Sequence, residues 1–135
     1  SSTGYARDLL RLSLSQAVTL VVSSYVLDEV RVNLARKAPL KSEAFEAVVA
    51  LVGFVLAEPT TAQVQAAAEY TVLKDAPVVA AAIAGRCRYL VTFDRKHLLD
   101  PPAVAARSGL LIVTPDIVVH AIQSANETDG ERPGE

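Results

Sequence analysis

Apolar positions along this chain switch repeatedly between helical spacing and short β-branched runs, and the switching predicts helices and strands in turn. From about Tyr5 to Ser15, Leu9, Leu10, Leu12 and Leu14 stand among Arg and Ser, which reads as a short helix. Val18-Thr19-Leu20-Val21-Val22 has the length and branching of a buried strand. Ser23 or Ser24 is placed to cap the next helix, whose Leu27, Val30 and Leu34 fall at i, i+3 and i+7, and Pro39 ends it. Another helix runs from Ser42 to about Gly53, followed by a brief strand, Phe54-Val55-Leu56-Ala57, closed by Glu58-Pro59. Thr60 or Thr61 caps a helix through about Val72. Asp75 caps a helix from Pro77 to Ala84, with proline in the first turn and Gly85 as its stop. Tyr89 to Phe93 is a strand, Arg95-Lys96-His97 a polar bend, and Pro101-Pro102 a break. Leu110-Leu111-Ile112-Val113 is the last strand, and Thr114-Pro115 opens a final helix to about Gln123.

Strands separated by helices predict an α/β fold: a parallel sheet with helices on both faces, three layers in all. In such folds the loops that follow strands gather at the carboxyl edge, where ligands bind. The chain reads as one domain over residues 1–123, and the polar, acidic stretch 124–135 reads as a mobile tail. A hydrophobic share of 51% is ample for one core, built from small side chains because Trp and Met are absent. The formal net charge of −2 excludes a globally basic, nucleic-acid-coating protein and leaves only local phosphate contacts. Arg86, Arg88, Arg95, Lys96 and His97 are the local candidates, with His97 read as a surface residue. Cys87 is the lone cysteine, so no internal disulfide forms, and it reads as a small apolar filler in a reducing cytoplasm. No apolar run approaches the roughly 20 residues that span a bilayer.

Three acids sit where chemistry would place them. Asp94 ends an apolar strand, Asp75 begins a helix, and Glu29 lies on the helix after the first strand, beside the buried stripe. Helix starts and strand ends share the carboxyl edge, so these carboxylates are expected to converge. Converging like charges call for a hard divalent cation, Mg²⁺ or Mn²⁺. Each acid also has an ordinary reading: Asp75 as an N-cap, Asp94 as the start of a solvated turn, Glu29 as part of a solvated helix face.

The blocks Ser23-Ser24-Tyr25-Val26-Leu27-Asp28-Glu29-Val30, Asp75-Ala76-Pro77-Val78-Val79-Ala80-Ala81-Ala82, Tyr89-Leu90-Val91-Thr92-Phe93-Asp94-Arg95-Lys96-His97-Leu98-Leu99 and Ile112-Val113-Thr114-Pro115 resemble, in order, those of a PIN domain. Among PIN domains the chain is most similar to the VapC-like proteins of bacterial toxin–antitoxin pairs, and the resemblance covers about Tyr5 to Ile122. It implies a metal-dependent endoribonuclease in which Asp75 and Asp94 hold Mg²⁺ or Mn²⁺, Glu29 is a ligand or orients water, and Thr92 hydrogen-bonds within the site. It also implies an RNA substrate, an antitoxin partner and a homodimer. PIN domains open with a central strand ending in an aspartate, which no stretch of this chain matches, so an N-terminally incomplete domain is expected. A catalytically inactive PIN-like module that binds RNA or protein is the alternative function.

Overall fold

The computed structural model describes residues 2–130. Its elements alternate as the pattern predicts: α1 (Ser2–Leu14), β1 (Val21–Val22), α2 (Ser24–Lys37), α3 (Ser42–Val52), β2 (Val55–Leu56), α4 (Thr61–Ala67), α5 (Ala76–Ala84), β3 (Tyr89–Val91), α6 (Pro102–Ser108), β4 (Leu111–Val113) and α7 (Pro115–Gly130). A 3₁₀ turn, Pro39–Lys41, joins α2 to α3, and one π-helical turn, Arg95–Leu99, follows β3. No helix among the described residues is long and apolar enough to cross a membrane.

Local chemistry explains the boundaries. The Ser23 hydroxyl accepts from the Val26 amide at the start of α2. Thr60 and Gln63 exchange side-chain and backbone bonds of 3.1 and 2.9 Å, a reciprocal cap on α4. That helix ends at Ala67 rather than near Val72, because the Glu69 and Tyr70 amides bond three residues back, to Ala66 and Ala67, and the chain tightens into turns. Gly53 ends α3 at φ +65°, a left-handed conformation that glycine adopts without strain. The stretch from Ser124, expected as a mobile tail, continues α7 to Gly130; residues 131–135 lie outside the described ones.

All strand pairs are parallel, in two separate pairs instead of one continuous sheet. β1 lies beside β2 with Val21 opposite Val55, and β3 beside β4 with Leu90 opposite Ile112. The Val55 and Ala57 amides donate to the Leu20 and Val22 carbonyls, so Leu20 and Val22 face β2. The Leu111 amide donates to the Arg88 carbonyl and the Thr92 amide to the Val113 carbonyl, so Arg88 and Thr92 face β4. Alternation along a parallel ladder then turns the backbone groups of Val21, Tyr89 and Val91 to the opposite edges. Those edges have no strand partner among the described residues. A groove of about 860 Å³ lies between them, with Val18, Leu20, Val22, Val78, Leu90 and Val91 in its walls.

Helix α5 is the centre of the larger core. Ala76, Val79, Ala80, Ala81 and Ala82 are all buried, as expected for a helix that is apolar all round. Their small side chains let it pack closely on α4 through Ala67 and on Leu90, Leu98, Val104 and Leu110. A second cluster, Leu9, Val118 and Val119 with Tyr89, Val91 and Val113 against it, packs α1 and α7 on β3–β4. The β1–β2 pair joins this body where Gly85 approaches: a Cβ built there would stand 2.8 Å from Val21 Cγ1 and 3.1 Å from Ala57 Cβ.

Candidate metal centre at the carboxyl edge of the strands

Helix α5 leads back into β3, so the residue that begins the helix lies beside the residues that leave the strand. Asp75 and Asp94 occupy these two positions. Departure from β3 is set by Thr92, whose amide stays in the ladder while its hydroxyl accepts from the Asp94 amide at 3.1 Å. The strand therefore stops at Val91, short of the expected Phe93, and Phe93 is exposed.

Asp94 caps the π-helical turn. Its Oδ1 accepts from the His97 amide at 3.0 Å, and its Oδ2 lies 3.3 Å from His97 Nδ1. The His97 amide bond is the main reason its carboxyl is held below the usual carboxylate range, with the His97 ring and the charge of Lys74 acting the same way. Asp75 takes the N-cap position of α5 but makes no side-chain cap bond. Its Oδ2 is sealed from solvent without a hydrogen-bond partner. A carboxylate oxygen so placed is unfavourable unless something positive completes it. One ligand atom from each of Asp75, Asp94 and His97 lies within 4.8 Å of the other two. The oxygen donors and the uncompensated Asp75 oxygen fit a divalent cation.

Glu29 stands outside that group, exposed on α2. It hydrogen-bonds the phenol of Tyr25 one turn earlier, the main reason that phenol is pushed above its ordinary pKa; the negative charge of Asp75 adds to the effect. Glu29 thus borders the site through Tyr25. The basic residues divide as well. Arg95 and Lys96 follow β3 at the acidic edge, whereas Arg86 and Arg88 precede it and belong to the opposite edge, so the local candidates for phosphate contact do not share one edge. Arg88 instead covers the Tyr89 ring at 5.6 Å.

Three residues carry more than the sequence reading gave them. His97, read as a surface residue, is half-buried and bonded to Asp94; its signal was its place three residues after a strand-ending Asp, where a cap meets its partner. Tyr25 lies one turn before Glu29, at hydrogen-bonding spacing. Asp116 follows β4 at the same edge, where its carboxylate accepts from the Thr114 hydroxyl. The Thr-Pro-Asp run at a strand end was its signal.

The Ser24 amide and hydroxyl both donate to Glu58 Oε1, at 2.9 and 2.6 Å, which ties the start of α2 to the end of β2. The carboxyl edge is thus braced on both strand pairs.

No curated protein and no solved structure matches this chain. The sequence profile described as PIN domain matches residues 1–96, a span that takes in Glu29, Asp75 and Asp94 and stops two residues beyond the last of them. With that match over most of its length, the chain belongs to the PIN domain family.

Proposed function

We propose that the chain is a divalent-metal-dependent ribonuclease and serves as the toxin of a toxin–antitoxin pair in the cytoplasm. Membership of the PIN family supports a nuclease-type function. The observation that carries the metal-dependent reading is the sealed, unpartnered Asp75 Oδ2 beside the Asp94 carboxylate. Asp75 and Asp94 are the oxygen ligands to Mg²⁺ or Mn²⁺. Such an ion supplies positive charge for a phosphodiester and acidifies water for attack on phosphorus.

The chain's own groups do the rest. Thr92 fixes the backbone from which Asp94 projects. Glu29, bonded to Tyr25 at the border of the site, orients water rather than binding the ion. Lys74 and Lys96, exposed beside the two acids in sequence, draw the RNA backbone to an otherwise negative edge. The toxin role, the antitoxin partner and a homodimer rest on the resemblance of the four sequence blocks. We also assign the groove between β1 and β3 to the family's central strand, which would bring its aspartate to the same edge; the two unpaired strand edges and the apolar walls support this.

One observation favours a non-catalytic RNA- or protein-binding module: Glu29 does not join the carboxylate pair. RNA cleavage in Mn²⁺ separates the readings. The ribonuclease reading expects cleavage that drops by about a hundredfold in Asp94→Asn. Equal cleavage by both proteins removes Asp94 from the catalytic set; RNA binding without cleavage by either favours the module.

A further inference from the structure

The imidazole of His97 is placed by parts of the fold that do not depend on its side chain. Its backbone amide is held by Asp94 Oδ1, the following Leu98 is 4% exposed in the core, and the Leu99 amide closes the π-helical turn onto the Asp94 carbonyl. The ring is therefore delivered to the carboxylate pair by the same short turn that Asp94 caps. Its side chain and that of Asp94 are each 29% exposed, so both are largely withdrawn from bulk water. One ring nitrogen falls within 4.8 Å of an oxygen of both Asp75 and Asp94.

Resting on the ribonuclease reading, we propose that His97 is a nitrogen ligand of the divalent ion and sets which metal the site prefers. Two carboxylates alone are hard donors, well suited to Mg²⁺, which keeps most of its water. Adding imidazole shifts the preference toward Mn²⁺ and later transition ions, which accept nitrogen readily. Neutral imidazole also adds a donor without a third negative charge, which two close carboxylates would oppose.

The test uses the whole chain and Mn²⁺ itself, with His97→Gln as the variant. Glutamine keeps the backbone amide that Asp94 caps, so the turn is preserved, and circular dichroism with thermal unfolding checks this. Pulsed electron paramagnetic resonance of bound Mn²⁺ is expected to show ¹⁴N coupling from imidazole in the wild type and none in His97→Gln. Calorimetric titration is expected to show Mn²⁺ affinity lowered about tenfold and Mg²⁺ affinity little changed, narrowing the preference for Mn²⁺. Binding of Mn²⁺ that is abolished by Asp94→Asn yet shows no ¹⁴N coupling overturns the role of His97 and leaves the carboxylate site standing. An unchanged Mn²⁺-to-Mg²⁺ affinity ratio in His97→Gln does the same. Failure of the wild type to bind Mn²⁺ at all overturns both.

Discussion

The two acids of the site are built differently, and the difference predicts different behaviour. Asp75 has an oxygen that neither solvent nor the protein satisfies, so without a cation it opposes folding. Asp75→Asn is expected to raise stability in chelator by about 1 kcal/mol, roughly 4 °C in melting temperature, while abolishing the rise that Mn²⁺ gives the wild type. Differential scanning calorimetry with and without Mn²⁺ reads both, and a variant still stabilised by Mn²⁺ would remove Asp75 from the ligand set. Asp94 is satisfied already, chiefly by the His97 amide, which holds its pKa below the ordinary value. A depressed carboxylate contributes stability above its unfolded pKa of about 3.9 and loses it as pH falls through the lower folded value. Metal-free urea unfolding from pH 2 to 6 is expected to show a stability rise in the acid range that Asp94→Asn reduces. An identical slope in the variant would mean that the His97 bonds do not favour the charged form.

Among the elements, the helix starts were the most legible part of the sequence. Ser23 and Thr60 cap where Ser and Thr are expected to, and the glycine after α3 takes the left-handed position that only a structure displays as φ. Strand positions were legible from β-branched runs, but strand lengths were not. Pairing, rather than propensity, decided that the five-residue run from Val18 to Val22, four of them apolar, contributes only Val21–Val22 to the paired strand. Asp75 shows the same limit at the site: its type and place predicted a cap, yet its carboxylate makes no cap bond, a distinction of rotamer that spacing cannot carry. Gly85 ends α5 as its pattern predicts, and the structure adds a packing reason that no local pattern contains. Gly85→Ala would press a methyl against Val21 Cγ1 at 2.8 Å and Ala57 Cβ at 3.1 Å, so β1–β2 must shift away from α5. A destabilisation of about 1–3 kcal/mol is expected in equilibrium urea unfolding. Little change would show that this joint is loose.

Across the whole molecule, burial is unevenly shared between the two strand pairs. Both core clusters lean on β3–β4, where Val79, Val104 and Val119 are at most 1% exposed. Among the described residues the β1–β2 side keeps only Leu27, Ala57 and Ser23 buried, and Val55 and Leu56 are 48% and 57% exposed. Local opening free energy follows buried apolar contact, so β1–β2 is expected to open well below the global unfolding free energy. Hydrogen exchange should find the Ala57 amide, bonded to Val22, exchanging much faster than the Thr92 amide, bonded to Val113, although both close parallel strand pairs in the same way, one residue past a strand end. The groove gives that asymmetry a direction. The amides of Val21, Tyr89 and Val91 face edges with no strand partner among the described residues, and they are expected to exchange fastest among the residues of β1 and β3. If a central strand belongs there, joining an apolar segment such as Val-Val-Ile-Val-Asp to Ser1 through a short flexible linker should slow exchange at those three amides together and slow Ala57 with them. A Gly/Ser segment of equal length supplies the control. Equal exchange in the two fusions would mean that the groove is a closed feature of the fold and the two strand pairs stand independently; selective protection would mean that one strand unites them into the sheet that the alternating sequence pattern predicts.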